Sequence, residues 1–186
     1  MSNLPTGPMH TNLQSGLLFG EQVLVARRTV GDLDGYWYDG QQALLFADEL
    51  LYETQTWMPV AEGTEGAIFW GNTTLMPGKV GSEYFMTRGH WHEKLDRGEL
   101  CVTTSGTGLL VLMDQNRNTR YEKMTPGSTH YVPGFTAHRT VNTGNDPLVF
   151  LCSWPADCGH EYASILREGF SQRFFDNVPF ENPSPT

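Results

Sequence analysis

Glycine and proline divide this chain into short segments, and that division limits what the chain can fold into. There are 20 Gly and 11 Pro among the 186 residues, and runs rich in β-branched and aromatic residues lie between them. The predicted strands are residues 67–76, 100–104, 109–113, 119–124, 129–132, 139–141 and 148–154. Short strands at regular spacing, separated by turn residues, are typical of a β-sandwich or barrel. We therefore predict an all-β fold.

One or two short helices are expected beside the strands. Residues 43–53 carry apolar side chains at helical spacing, and Tyr52 lies on that apolar face. Residues 162–168 end at Gly169, which is a common helix stop.

A chain of this length is expected to form one domain. Residues 1–16 are polar and residues 181–186 are rich in proline, so both are predicted to be tails. The domain is then expected to span residues 17–180 as a single barrel with an N-terminal extension.

The charge of the chain excludes some classes of partner. With 12 Lys and Arg against 21 Asp and Glu, the net charge is −9, which disfavours sequence-independent binding of nucleic acid. No run of 18 apolar residues is present, and the N-terminus lacks the pattern of a secretory signal. The three cysteines have no CxxC spacing. We therefore expect a cytoplasmic protein that binds neither nucleic acid nor membrane.

The sequence Gly89-His90-Trp91-His92 is the segment most informative about chemistry. In a strand, alternate side chains share a face, so His90 and His92 would point the same way, about 7 Å apart. Glu99 can return beside them after a turn, and His138 follows much later. Three imidazoles and one carboxylate suit Fe²⁺, Mn²⁺, Ni²⁺ or Zn²⁺ with positions open for a substrate. Two other histidines have simpler interpretations: His130 is expected to be structural, and His10 to be solvated.

The same residues resemble the two sequence motifs of the cupin superfamily. Gly106 follows Glu99 at the spacing of the first motif, and the second motif is matched by Gly127, Pro133, His138 and Asn142. The interval between His92 and Glu99 is longer than usual. The resemblance implies a cupin fold, which is a jelly-roll barrel also called a double-stranded β-helix.

A closer resemblance covers roughly residues 20–175. Residues 77–92, 137–139 and 154–162 are similar to the archaeal-type, cupin-fold glucose-6-phosphate isomerases. This resemblance implies an intramolecular oxidoreductase that interconverts glucose 6-phosphate and fructose 6-phosphate in glycolysis and gluconeogenesis. It also implies a homodimer with one divalent metal ion per subunit, Fe²⁺ being favoured over Mn²⁺, Ni²⁺ and Zn²⁺.

The resemblance also implies roles for individual residues. The implied metal ligands are His90, His92, Glu99 and His138. The implied substrate and phosphate ligands are Thr73, Thr87, Gly89, Tyr52 and Trp154, with Lys79 or Arg88 as a nearby cation. The implied catalytic residues are Glu99 as a base, and His160 and Tyr162 in ring opening or proton relay. Cys101 and Trp154 stand where the family commonly has tyrosine.

Two other functions are compatible with a cupin metal site. A dioxygenase could use three histidines and one glutamate around Fe²⁺, although it would not need phosphate donors. A sugar-binding cupin would need no metal ion with open positions. Within the isomerase class, mannose 6-phosphate is an alternative substrate. Either proton transfer or a hydride shift could move the carbonyl group.

Overall fold

The structure is a computed structural model, and it describes residues 7–179. The expected C-terminal tail at 181–186, and residues 1–6 of the expected N-terminal tail, lie outside the described residues. The strands are β1 His10–Thr11, β2 Leu18–Phe19, β3 Val23–Thr29, β4 Leu50–Trp57, β5 Ile68–Leu75, β6 Lys79–Val80, β7 Glu83–Tyr84, β8 Glu99–Ser105, β9 Gly108–Asp114, β10 Thr119–Met124, β11 Thr129–Val132, β12 Thr136–Asn142 and β13 Leu148–Pro155. The helices are α1 Gly40–Leu44 and α2 Ala163–Glu168, with a 3₁₀ turn at Gly31–Leu33.

Two antiparallel sheets form the barrel. The larger has the strand order β11-β8-β13-β5-β4-β3, and the smaller has the order β10-β9-β12. The chain changes sheet from β8 to β9, from β10 to β11, from β11 to β12 and from β12 to β13, so that β12 pairs with β9 and β13 with β8. This winding of one pair of strands about another is the jelly-roll pattern. The prediction of an all-β cupin fold with two short helices is confirmed.

The hydrophobic core lies between the two sheets. Strand β9 is buried along almost its whole length, since Leu109–Met113 are each at most 4% exposed. The core side of β13 includes Leu148 and Phe150, which are also buried. Strands that are covered on both faces have nearly continuous apolar sequences, which is why these two were readily predicted.

The predicted helix at 43–53 is wrong beyond Leu44, where the helix ends and a turn follows. Helix α1 has only five residues. Its N-cap is Asp39, whose side chain accepts a hydrogen bond from the Gln42 backbone N–H. Residues from Leu50 onward form β4, which pairs with β3 and β5. Tyr52 therefore lies on a strand. The apolar residues 51 and 52 are compatible with either a helix or a strand when only the local sequence is considered. Because both edges of β4 pair with neighbouring strands, the strand is favoured.

Part of the segment expected to be an N-terminal tail pairs as a hairpin. Strands β1 and β2 are joined through Gly16, whose carbonyl accepts a hydrogen bond from the buried side chain of Asn72 at 2.7 Å. The Trp70 indole N–H donates to the Thr11 hydroxyl at 3.1 Å. The hairpin is thereby attached to β5. Across residues 7–179, no helix is both long and apolar enough to cross a membrane.

Candidate metal centre and substrate cavity

The four predicted metal ligands converge in the structure. His90 and His138 form an antiparallel bridge, with N–H···O distances of 3.1 and 3.0 Å, and Glu99 begins β8 beside them. One ligand atom from each of these residues and from His92 lies within 4.8 Å of the others. The strand ladder therefore brings together donors that are separated by up to 48 residues in sequence.

The orientation of the side chains fits a metal ion. The Glu99 Oε2 atom is 3.6 Å from His92 Nε2 and 3.5 Å from His138 Nε2. The Nε2 atoms of His90 and His92 are buried without a hydrogen-bond partner. The Nδ1–H of His92 donates to the Arg97 carbonyl at 2.9 Å, which leaves Nε2 as the ligand atom. Unpartnered nitrogens beside a carboxylate are the donor set expected for a divalent ion.

Burial and the neighbouring polar groups together set the protonation states of the metal-ligating residues. It lowers the pKa of His90 well below its ordinary value, and the neighbouring His138 and His160 lower it further. Burial raises the pKa of Glu99, but the close contacts with His138 and His92 outweigh this and hold that pKa well below its ordinary value. Burial also lowers the pKa of His92, yet the nearby Glu99 carboxylate and the hydrogen bond to the Arg97 carbonyl raise it overall. At neutral pH the centre therefore offers an ionised carboxylate and a neutral His90.

A buried carboxylate forms ion pairs with the loop that carries His92. Asp157, whose side chain is 2% exposed, pairs with Lys94 at 2.7 Å and with Arg97 at 2.9 Å. Arg97 is also the residue whose carbonyl orients His92. Asp157 lies three residues before His160, so this ion-pair cluster connects the metal loop to the loop that carries His160.

We expect Asp157→Asn to lower the unfolding midpoint, and to lower it less at acid pH than at neutral pH. Hydrogen bonds from Arg97 and Lys94 hold the pKa of Asp157 well below its ordinary value. A depressed carboxyl pKa contributes stability above the unfolded pKa of about 3.9, and this is lost as pH falls further. Thermal unfolding of the wild type and the variant should be measured from pH 7 to pH 3. The difference between their unfolding midpoints should become smaller below about pH 4. A difference independent of pH would contradict this assignment.

Most of the predicted site residues line one cavity of about 250 Å³. They are Tyr52, Thr73, Thr87, Gly89, His90, Glu99, His138, Trp154, His160 and Tyr162. His92 is 3% exposed and lies behind the wall, with its ligand atom facing Glu99. The cavity lining thus combines metal-ligating side chains with a group of hydroxyl and backbone donors at Thr73, Thr87 and Gly89, which we call the polar end.

His160 and Tyr162 lie over the metal-ligating wall. The His160 ring centroid is 4.5 Å from that of His90, and it stacks on the Tyr162 ring at 6.0 Å. Burial, followed by the charge of His92, lowers the pKa of His160. Burial raises the pKa of Tyr162 to about 12. At neutral pH the cavity therefore presents an imidazole that can accept a proton and a phenol that can donate one.

The polar end is built by Thr73, Thr87 and Gly89. The Thr87 hydroxyl oxygen accepts a hydrogen bond from the Thr140 backbone N–H at 3.0 Å, which leaves its own hydrogen free for an acceptor. Gly89 has φ +74°, and a Cβ there would lie 2.7 Å from Phe170. Glycine is therefore required for the backbone to approach the cavity at this point.

Of the two cations expected near the polar end, only Arg88 lines the cavity. Its guanidinium lies 5.7 Å from the Tyr36 ring and 5.3 Å from the Tyr162 ring, and it donates to the Asp32 carbonyl. Lys79 instead pairs with Asp176 at 2.6 Å. Of the two alternatives, the cation at the cavity is therefore Arg88 and not Lys79.

Sequence reasoning missed a buried arginine at this end. Arg139 is 5% exposed, donates to the Arg88 carbonyl at 2.7 Å and lies 4.4 Å from the Phe170 ring centroid. Burial lowers its pKa to about 10. The signal was its position directly after His138, at the start of the predicted strand 139–141. The structure also adds Thr54, Thr56 and Thr140 to the cavity wall.

Comparisons with known proteins agree with this geometry. The family model for glucose-6-phosphate isomerase matches residues 28–179. Glucose-6-phosphate isomerase of Thermococcus kodakarensis is 42% identical over 163 residues, covering 87% of this chain and 84% of that protein. The Thermococcus onnurineus enzyme is 41% identical with the same coverage. A putative glucose-6-phosphate isomerase 2 of Rhizobium meliloti is 40% identical over 146 residues, 76% of this chain and 72% of that protein.

Solved structures of Bacillus subtilis oxalate decarboxylase are more distant. One is 24% identical and matches 59% of this chain and 26% of its own chain with a TM-score of 0.45. The family model and the relatives at about 40% identity carry the assignment. The chain belongs to the glucose-6-phosphate isomerase family.

Proposed function

We propose that this protein interconverts glucose 6-phosphate and fructose 6-phosphate with a divalent metal ion held by His90, His92, Glu99 and His138. One observation carries the proposal: four metal donors lie within 4.8 Å of one another, and three of them line the same cavity as Thr73, Thr87 and Gly89. Relatives that are about 40% identical over most of the chain bear the name of this activity. The donor set suits Fe²⁺, Mn²⁺, Ni²⁺ or Zn²⁺. Of these four ions we favour Fe²⁺.

The cavity separates the two ends of the substrate. Hydroxyls of Thr73 and Thr87 and the backbone N–H of Gly89 are neutral donors suited to phosphate oxygens, and Arg88 adds a positive charge. Tyr52 and Trp154 line the same cavity and would pack on the sugar carbons. This arrangement would direct C1 and C2 toward His160 and the metal-ligating wall.

The reaction moves a carbonyl group between C1 and C2. When bound, the metal ion supplies a Lewis acid for the substrate oxygens. Glu99, ionised at neutral pH, is the candidate base that takes the proton from one carbon and returns it to the other. His160 can accept a hydroxyl proton and Tyr162 can donate one, which is what opening the sugar ring requires. If the hydrogen moved between the two carbons as a hydride, no base would be required, and Glu99 would act only as a metal ligand.

A coupled assay tests the proposed function. Purified protein with fructose 6-phosphate should yield glucose 6-phosphate, detected by a dehydrogenase that acts on the product. The same preparation should consume no oxygen, which excludes the dioxygenase alternative. Binding of the substrate without conversion, in protein that is fully loaded with metal, would leave only a sugar-binding role and would contradict the proposal.

We expect Thr87→Val to weaken binding of 6-phosphates by about 10- to 150-fold. Valine keeps the shape of threonine, but it leaves a phosphate oxygen without a donor, and a hydrogen bond to a charged group contributes roughly 1.5–3 kcal/mol. Calorimetry with a non-reacting hexitol 6-phosphate measures the loss. The matched control is Thr87→Ser, which keeps the hydroxyl and should bind within a fewfold of the wild type. Normal binding by Thr87→Val would place the phosphate elsewhere.

We also propose that the protein is a cytoplasmic homodimer. The three cysteines are buried free thiols, which suits a reducing compartment. Strand β3 is an edge of the larger sheet, and its Leu24 and Val25 are 56% and 55% exposed. Exposed apolar edge strands are usually covered by a partner.

Sedimentation should give a homodimer of about 42 kDa, twice the chain mass of 20.9 kDa. Replacing both Leu24 and Val25 with lysine should shift this species toward monomer, because charge on an edge strand opposes pairing. A stable monomer of the wild type at micromolar concentration would contradict the proposal.

A further inference from the structure

Two thiols lie side by side in the wall of the cavity. Cys101 on β8 and Cys152 on β13 are directly opposite each other in the strand register. Their Sγ atoms are 2.8 Å apart, and both residues line the cavity while being 1% and 7% exposed. Both are free cysteines. The isomerase chemistry proposed above uses neither of them.

Glu99 connects this pair of thiols to the histidine centre. Its Oε2 atom faces His92 and His138. Its other oxygen, Oε1, accepts a hydrogen bond from the Cys101 thiol at 3.2 Å. Ligand atoms of Glu99, Cys101 and Cys152 all lie within 4.8 Å of one another. One carboxylate thus presents an oxygen to each of two different donor sets.

We propose that Cys101, Cys152 and the Oε1 atom of Glu99 form a second metal site, selective for thiophilic ions such as Zn²⁺ and Cd²⁺. Thiolates are soft ligands that select such ions over Mn²⁺ or Mg²⁺, whereas the histidine centre has only nitrogen and oxygen donors. Each thiol releases its proton as its sulfur–metal bond forms, so two protons leave for each ion bound. The fourth position of a tetrahedral ion would face the cavity. This inference goes beyond the proposed function and shares only Glu99 with it.

The geometry requires one local adjustment. Two sulfurs bound to Zn²⁺ at about 2.3 Å with a tetrahedral angle are roughly 3.8 Å apart. The two Sγ atoms must therefore separate by about 1 Å, which requires rotation of at least one of the two side chains. Three donors already in place on two rigid, hydrogen-bonded strands lower the cost of forming the site.

Cadmium titration tests this inference without measuring isomerase activity. Reduced, oxygen-free protein is titrated with Cd²⁺ while the ultraviolet charge-transfer absorption of cadmium–thiolate bonds is recorded. We expect the wild type to develop this band and to saturate it at one equivalent per chain. Cys101→Ala and Cys152→Ala should each reduce the final absorbance at least twofold. Cys158→Ala is the matched control, because Cys158 is a buried thiol outside both groups of metal donors, and it should keep the full band.

The His90→Ala variant separates the two sites. It removes a ligand of the histidine centre only, so the cadmium–thiolate band should persist even if the proposed isomerase function is wrong. X-ray absorption at the cadmium edge, on wild type whose histidine centre is first filled with Fe²⁺ and which then receives one equivalent of Cd²⁺, gives a second measurement that does not depend on whether variants fold. Two sulfur neighbours per ion support the site. A shell with fewer than two sulfurs, or a band that depends on Cys158 instead of Cys101 and Cys152, would overturn it.

Discussion

The Glu99→Gln variant, measured with its metal site fully occupied, should turn over fructose 6-phosphate about 10²- to 10⁴-fold more slowly than the wild type. Glutamine keeps the size of the side chain and one acceptor oxygen but removes the charge and the basicity. Three histidines remain to hold the ion, so occupancy should fall only in part and can be restored with excess metal. The remaining loss in rate is the loss expected when a general base is removed.

Isotope exchange distinguishes this role from that of a simple ligand. If Glu99 carries the proton, wild-type turnover in heavy water should place solvent deuterium in the product. Metal content must be measured in the same samples, because a poorly loaded variant would be slow for another reason. A fully loaded Glu99→Gln enzyme within tenfold of the wild type, with the C2 hydrogen transferred without exchange, would favour the hydride shift and leave Glu99 only as a ligand.

Replacing His160 with glutamine should also lower kcat by about 10²- to 10⁴-fold and change the pH profile. Burial lowers the pKa of His160 below its ordinary value of 6.5, so the imidazole is neutral at pH 7 and can accept a proton. Protonation on acidification removes that capacity. Wild-type kcat/KM should therefore fall along an acid limb that lies below pH 6.5.

The acid limb is the informative readout for His160. In His160→Gln the residual activity should lack that limb, because glutamine does not titrate. Tyr162→Phe is the matched comparison: it keeps the stacked ring but removes the donor, and it should leave the acid limb in place. An unchanged profile in His160→Gln would show that another group titrates, and that His160 has a packing role.

Three of the four metal ligands could be predicted from sequence because their geometry is local. His90 and His92 need only an extended backbone to share a face, and Glu99 needs only a turn. His138 was found through the spacing of the second cupin motif, and the structure brings it opposite His90 in the strand ladder. The core strands β9 and β13 were also predicted well, since their continuous apolar sequences reflect burial on both faces.

Features that depend on long-range pairing could not be predicted in the same way. The apolar pattern around Tyr52 is ambiguous until β3 and β5 pair with both edges of β4. Arg139 looks like a surface residue until Phe170 and the Arg88 carbonyl enclose it. Cys101 and Cys152 are 51 residues apart in sequence, and only the register of β8 with β13 makes them neighbours. Single-sequence patterns carry no information about register.

Metal dependence in the coupled assay is the most direct test of the central claim, which is that the histidine–glutamate wall of this cavity is the catalytic centre. The measurement is fructose 6-phosphate turnover by protein stripped with a chelator and then titrated with Fe²⁺, Mn²⁺ or Ni²⁺. Our account predicts that stripping abolishes turnover, and that turnover returns in proportion to occupancy and saturates at one ion per chain. A stripped protein that keeps its full activity, with no metal detected, would contradict the account.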